Sequence, residues 1–210
     1  MKKLAAAIFS ALLLLLPLTA CTKETDARAE RVRDRYAAPL AYAAAAEVAL
    51  AGETEDVRCT LRFDADGTET RVTVLAPELL AGVTARLGED ALRLEYDDLV
   101  LDAGGPIGGV NAVSCVPLAL RAVGEGWLLE RGEEDLSYGG GTVRALRLRF
   151  ESEADGHTIE TAVWFGADDT PLYAEIAENE KITAYMEFTS FAFCDTITQD
   201  TPTPSPGADG

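Results

Sequence analysis

The sequence predicts an α+β fold, a strongly curved antiparallel sheet with an N-terminal helix and a mid-chain lid helix. About nine short stretches alternate apolar and polar residues with a period of two, as strands do when one face of a sheet is covered. Turn sequences such as Asp-Gly follow several of these stretches and predict hairpins. Most stretches follow one another without a helix between them, so the rhythm of a parallel sheet is missing.

The N-terminal helix is predicted over Ala27–Ala51. Val32, Tyr36 and Leu40 recur every four residues, and the alanines that follow have high helix propensity. Pro39 should kink this helix or split it in two, because proline lacks the amide proton that a helix interior uses.

The lid helix is predicted over Val116–Val123. Ser114 is its expected N-terminal cap, and Pro117 falls in the first turn, where proline is tolerated. The strands are predicted on both sides of this helix, in chain order at Val57–Phe63, Val72–Val74, Val83–Leu87, Leu92–Tyr96, Leu99–Leu101, Trp127–Arg131, Val143–Glu151, Thr158–Phe165, Pro171–Ala177 and Ile182–Phe188.

The first twenty-one residues have the three parts of a secretory signal: two lysines, an apolar run at Leu4–Leu18, and small residues before Cys21. The run is shorter than the about 20 residues that span a bilayer. Its end, Leu-Thr-Ala-Cys, resembles the lipobox of bacterial lipoproteins. This resemblance implies that Cys21 carries a covalent diacylglycerol and anchors the protein to the cell membrane, facing outside the cytoplasm. An ordinary signal peptide followed by a cysteine is the alternative.

Charge and composition exclude several classes of function. With 36 acidic and 18 basic residues the net charge is −18, and such a surface repels the phosphates of nucleic acids. The single histidine, His157, follows a predicted turn, and no G-x-S-x-G motif accompanies it. The Asp64–Gly67 turn resembles the start of a calcium loop but has Leu75 at the twelfth position, where glutamate is needed. We therefore predict no catalytic residue, no metal site and no cofactor other than the lipid on Cys21.

Three cysteines follow Cys21, and an odd number cannot all pair with each other. Cys59 alternates with apolar residues, which favours a small buried side chain. A bridge from Cys59 to Cys194 stays open if the first and last strands are adjacent. Cys115 is the third.

The closing part of the chain resembles a known family. Its pattern is a strand with aromatic residues, an acidic turn, a strand led by proline, and a strand ending in Phe-x-x-Phe: Val163-Trp164-Phe165, Asp168, Pro171-Leu172, Glu175-Ile176, Met186-Glu187-Phe188 and Phe191. Together with the lipobox and the order of helices and strands, this pattern resembles the LolA-like lipoprotein carriers and their lipid-binding relatives. The resemblance implies an incomplete β-barrel whose apolar concave face lies under helices and holds an acyl chain or another apolar ligand.

The candidate ligand-binding residues are bulky side chains on the strands of the second half: Trp127, Leu129, Trp164, Phe165, Tyr173, Met186 and Phe188. An open apolar interior would gain about 25 cal/mol for each Å² of ligand surface that it buries. The alternative is that these side chains pack the core against the helices. Because Trp164 and Phe165 are consecutive, only one of them can face inward from a strand.

These features divide the chain into a lipoprotein signal peptide (1–20), a polar tether (21–30), a single half-barrel domain (31–196) and a disordered proline-rich tail (197–210). The predicted function is that of a membrane-anchored lipoprotein that binds a hydrophobic ligand and catalyses no reaction. Its expected partners are the membrane and a lipid or the apolar segment of another envelope protein. The alternative is a cell-envelope interaction or sensor module with a filled core; an envelope hydrolase is the weakest hypothesis.

Overall fold

The computed structural model describes residues 23–37, 39–52, 54–88, 91–97, 99–102 and 109–194. Cys21, the signal peptide and the proline-rich tail lie outside these residues. Helix α1 covers residues 23–35, and helix α2 is Cys115–Glu125. The strands are β1 Ala41–Leu50, β2 Val57–Asp66, β3 Thr70–Ala76, β4 Thr84–Leu87, β5 Leu92–Tyr96, β6 Leu99–Asp102, β7 Trp127–Tyr138, β8 Gly141–Ala154, β9 His157–Phe165, β10 Pro171–Glu178 and β11 Lys181–Phe193.

All eleven strands form one antiparallel sheet in the order β6-β5-β4-β3-β2-β1-β11-β10-β9-β8-β7. The sheet is open, with β6 and β7 at its two edges. The predicted α+β class and the antiparallel connectivity are confirmed.

The sheet curves around the two helices. One continuous apolar cluster includes both helices and strands from β5 on one side to β8 on the other. Nine strands about 4.8 Å apart would extend about 38 Å if the sheet were flat. Two helices, each about 10 Å in diameter, cover about half that width. A single core therefore requires a concave sheet, as predicted.

The prediction of a helix over Ala27–Ala51 is wrong in its second half. The helix ends at residue 35, and β1 occupies the centre of the sheet between β2 and β11. Along β1, Tyr42, Ala44, Ala46 and Val48 are buried, and the residues between them face the other side. Hydrogen bonding to a strand on each side outweighs the helix propensity of the alanines, which is worth under 1 kcal/mol per residue.

The expected polar tether is also shorter than predicted. Residues 23–30 belong to α1, and Ala29 is buried in the core. In the described part of the chain, neither helix is long and apolar enough to cross a bilayer.

Helix α2 is present as predicted, but Ser114 does not cap it through its side chain. The Ser114 hydroxyl instead donates to the carbonyl of Gly109 and accepts the amide proton of Asn111. The Asn111 side-chain oxygen accepts the amide protons of Val113 and Ser114, at 3.0 and 3.1 Å. Asn111 therefore orders the turn that leads into the helix.

Candidate functional site

The concave face of the sheet is apolar, because the inward residue of each alternating pair is aliphatic or aromatic. Among the described residues, the buried polar side chains are Ser114 and Thr161. Thr161 points inward from β9, and its hydroxyl has no hydrogen-bond partner in the described structure. The two helices lie on this face.

Helix α1 ends in a group of aromatic rings on the concave face. The ring of Tyr36 lies 5.5 Å from that of Phe165, 6.0 Å from that of Phe191 and 5.1 Å from that of Phe193. Tyr42 stacks on Phe191 at 5.7 Å. Such pairs add about 0.5–1.5 kcal/mol each beyond their buried area, so they fix the end of α1 on the sheet.

Polar contacts join α1 to the turn between β9 and β10 at residues 166–170; we call these contacts the latch. Arg28 Nε lies 2.8 Å from Asp169 Oδ1, and its guanidinium also donates to the carbonyl of Gly166. Arg35 donates to the Asp168 carbonyl at 3.2 Å, and the Tyr36 hydroxyl donates to the Asp169 carbonyl at 3.1 Å. Burial raises the pKa of Tyr36, so the phenol stays a donor.

Helix α2 is held differently. Its buried residues are Cys115, Val116, Ala119, Leu120, Ala122 and Val123, and they pack on the strands β8–β11. No hydrogen bond or ion pair of the described residues joins α2 to a strand. The helix rests on the sheet through apolar contacts.

The interior under the helices is well filled. A cavity of about 180 Å³ opens beside α2, among Tyr36, Leu40, Tyr42 and Leu120. Sites for small molecules usually measure about 300–1,000 Å³. This cavity is smaller than that range.

The seven predicted ligand-binding residues do not share one surface. Phe165, Met186 and Phe188 lie in the concave core. Trp164 and Tyr173 face the other side, where they form a second cluster with Leu136, Ala145 and Ala162. Trp127 and Leu129, on the edge strand β7, are 74% and 40% exposed.

The expectation that only one of Trp164 and Phe165 faces inward is confirmed, and the inward one is Phe165. Trp164 is 6% exposed even though it faces the convex side. The β7–β8 hairpin covers it: Trp164 Nε1 donates to Glu134, and Tyr138 reaches across to the Phe188 carbonyl. The size of a side chain alone therefore does not predict whether it lies on the concave or the convex side of the sheet.

Sequence reasoning overlooked the first half of the concave face. Leu61, Phe63 and Val72 are buried there, and so are Ala44 and Ala46 of β1. The alternation at residues 57–63 already indicated the direction of Leu61 and Phe63.

The three cysteines of the described residues are free thiols. Cys59 pairs with Val48, whereas the Cys194 amide bonds to Ala41, seven residues away along β1. Seven strand residues span about 23 Å, and a disulfide needs Cα atoms within about 7 Å. The two thiols therefore lie at opposite ends of β1 and do not bridge. Burial raises the pKa of the Cys115 thiol to about 12, so it stays protonated.

No protein-family model matches the chain, and no curated protein matches it. The chain is similar to several solved structures. A LolA superfamily protein from Nitrosomonas europaea shares 7% identity, with 81% of this chain and 94% of the other covered and a TM-score of 0.41. The lipoprotein LppX from Mycobacterium tuberculosis shares 11%, covering 72% and 86% with a TM-score of 0.40.

A DUF1329 family protein from Desulfovibrio piger shares 12% identity, covering 81% and 92% with a TM-score of 0.44. As the resemblance predicted, a LolA superfamily protein and a lipoprotein are among the structures found.

Proposed function

We propose that this protein is a lipid-anchored lipoprotein outside the cytoplasm, and that it binds an acyl chain or another apolar ligand without catalysing a reaction. The ligand occupies the concave face when α2 moves aside. The observation that carries the proposal is the apolar attachment of α2: no described hydrogen bond or ion pair ties it to a strand. An apolar ligand can replace contacts of this kind, because the hydrophobic effect is not directional.

The energies of this exchange are comparable. Val116, Leu120 and Val123 of α2 are fully buried, and exposing each would cost about 1.5–3 kcal/mol. With the smaller side chains the total is about 10 kcal/mol. An acyl chain of about 16 carbons offers about 0.8 kcal/mol for each CH₂, or about 12 kcal/mol. The unpaired Thr161 hydroxyl would give a polar group of the ligand a partner on an otherwise apolar wall.

The anchor would hold this face close to the membrane. Helix α1 is already formed at residue 23, two residues after Cys21. Two residues span at most about 7 Å, so a lipid on Cys21 would keep the start of α1 at the bilayer surface. Replacing Cys21 by alanine should abolish labelling of the protein by palmitate analogues in cells and release it from membranes. Continued labelling of the Cys21→Ala variant would contradict the anchor.

A second candidate is the envelope interaction or sensor module with a filled core. The filled interior and the cavity of about 180 Å³ favour it. The two functions differ in what happens when the helices are loosened. The latch holds α1, and the end of α1 contacts α2 at Gly124, so weakening the latch also loosens the support of α2.

Replacing Arg28 by alanine removes the charged hydrogen bonds to Asp169 and Gly166. We expect the free energy of unfolding to fall by about 2 kcal/mol, as charged hydrogen bonds are worth about 1.5–3 kcal/mol. We also expect the purified full mature chain with Cys21→Ser to bind a fluorescent fatty acid faster when it carries this change. Urea unfolding and stopped-flow fluorescence measure the two effects. Arg31→Ala is the matched control, because Arg31 is an exposed residue of the same helix.

The filled-core module predicts the loss of stability without any fatty-acid binding. The proposal of lipid binding would be contradicted if neither the parent chain nor the Arg28→Ala variant bound fatty acid while both remained folded. The interaction module would then be the function that remains.

A further inference from the structure

A second and larger cavity lies on the convex side of the sheet, away from the helices. It measures about 530 Å³, within the usual range of ligand sites, and spans the strands β10, β11, β1, β2 and β3. Nothing in the proposed acyl-binding function uses this face.

The pairing of the strands explains why a depression forms here. Two lateral rows of side chains cross the sheet on its convex side. One row is Tyr173, Glu187, Glu47, Thr60 and Ala76; the next is Glu175, Tyr185, Ala49 and Arg58. Ala49 lies between Tyr185 and Arg58 in the second row, and the small residues Thr60 and Ala76 end the first row on β2 and β3. These small residues therefore form the floor of the cavity, and the larger side chains form its walls.

Two carboxylates meet on this surface. Glu47 and Glu187 occupy directly opposite positions on β1 and β11, where like charges destabilise a sheet. Neither glutamate forms an ion pair with any described residue. Arg58, the one cation lining the cavity among the described residues, is 3.6 Å from Asp56 and is itself mostly exposed. The described residues that line the cavity therefore carry an excess of negative charge.

The aromatic wall adds a second feature. Tyr173 packs against Trp164, with ring centroids 5.3 Å apart, and its hydroxyl donates to Glu175. Burial is the main cause that raises the pKa of Tyr173, and the negative charge of Glu175 raises it further. Tyr185 neighbours Ala49 on one side and Glu175 on the other. Electron-rich rings beside unpaired carboxylates attract organic cations, through the ring faces and through charge together.

We infer that this convex cavity binds an organic ammonium ion, a small ligand with a protonated or quaternary amine on a short apolar body. The carboxylates Glu47 and Glu187 meet the positive charge, and Tyr173 and Tyr185 contact the carbon atoms around it. The net charge of −18 attracts such a ligand towards the protein from a distance.

Tryptophan fluorescence can report ligand binding at this site. The chain has two tryptophans, and Trp127 is exposed on β7 while Trp164 contacts Tyr173. The full mature chain with Cys21→Ser and Trp127→Phe therefore reports on Trp164 alone. Titration with choline chloride, and separately with putrescine, should change the Trp164 emission with a saturating curve. Sodium chloride at equal ionic strength should not.

Matched variants test the assignment. Glu47→Gln and Glu187→Gln should each weaken binding by about fivefold, the upper range for one exposed charge contact, whereas Glu153→Gln on β8 should not change it. Ala49→Leu should fill the floor and abolish binding. Ala45→Leu is its control, because Ala45 lies on the same strand and faces the same side, outside the cavity.

Circular dichroism of each variant establishes that it is folded. Equal binding by Glu187→Gln, Glu47→Gln and the parent chain would overturn the inference. Binding that survives Ala49→Leu, or an identical response to sodium chloride, would also overturn it.

Phosphatidylcholine vesicles distinguish a lipid headgroup from a free amine as the ligand. If the vesicles compete with choline for the protein, the ligand is a headgroup; if they do not compete, it is a free solute. Fatty-acid binding is measured separately and does not depend on these outcomes.

Discussion

Single aspartates order the turns of this sheet. In the turn between β2 and β3, the Asp66 carboxylate accepts hydrogen bonds from the Thr68 amide, the Thr68 hydroxyl and the Glu69 amide, at 2.8, 2.8 and 2.9 Å. These donors favour the charged form and lower the pKa of Asp66 below its ordinary value of 3.8. Asp168 accepts both the amide and the hydroxyl of Thr170 in the same way, in the turn that holds the latch.

The Asp66 turn makes stability depend on pH. Because the folded pKa is the lower one, the charged carboxylate stabilises the fold above pH 3.8, and this contribution is lost as the pH falls through the folded pKa. We expect Asp66→Asn to be less stable than the parent chain at pH 7, and the difference to shrink below pH 3.8. Urea unfolding between pH 7 and pH 3 measures it, with the exposed Asp64→Asn as control. A constant difference over this range would contradict the role of the charge.

Among the elements, the contact between the two helices depends on one glycine. A Cβ atom at Gly124, near the end of α2, would overlap the carbonyl oxygen of Tyr36 and lie 2.9 Å from the Cα of Ala37. Those atoms are backbone at the end of α1 and cannot rotate away. The absence of a side chain at Gly124 therefore allows both helices to lie on the concave face at once.

Gly124→Ala should push the helices apart and lower the free energy of unfolding by about 1–3 kcal/mol, the usual cost of overpacking. Gly132→Ala on β7 is the control, because a Cβ atom there would meet nothing within 4 Å. Thermal and urea unfolding of the two variants provide the comparison. Equal stability of both would show that the helices do not press on each other at Gly124.

At the scale of the whole molecule, the two edges of the sheet differ. The edge strand β7 is rich in charge, and its acidic residues Glu130 and Asp135 pair with arginines of β8. The other edge, β6, exposes Leu99, Val100 and Leu101, and no described strand covers its outer side. Leu79 and Tyr96 are exposed at the same end of the sheet. An apolar edge of this kind favours pairing with another chain.

We expect the parent chain to associate at high concentration through β6, and Val100→Lys to suppress this association, because a lysine on an edge strand opposes pairing. Sedimentation of the full mature chain with Cys21→Ser measures the change. Ser137→Lys, which places the same charge on β7, should leave association as it was. A parent chain that stays monomeric at every concentration would contradict this use of the edge.

Much of the fold could be predicted from local pattern. The predicted strands, the lid helix and the hairpin turn at Asp155–Gly156 are all present. Strand β1 was missed because its run of alanines favours a helix locally. Its pairing with β2 and β11 comes from contacts that the segment itself does not encode.

The candidate site was harder to predict. Alternation assigned Trp164 and Phe165 to opposite faces correctly, but it does not say which face the helices cover. Trp164 is buried because Glu134 and the rest of the β7–β8 hairpin bend over the convex side. The chemistry of a bulky residue is the same on either side, so its role depends on what the folded chain places above it.

Charge, the lipobox pattern, strand alternation and turn residues are properties of short segments, and the chain of amino acids specifies them directly. The choice of concave side, the position of β1 and the convex cavity depend on strands far apart in the chain. Glu47 and Glu187, for example, become neighbours only when β1 pairs with β11. Register between distant strands arises from the packing of the whole core, and no local segment contains it.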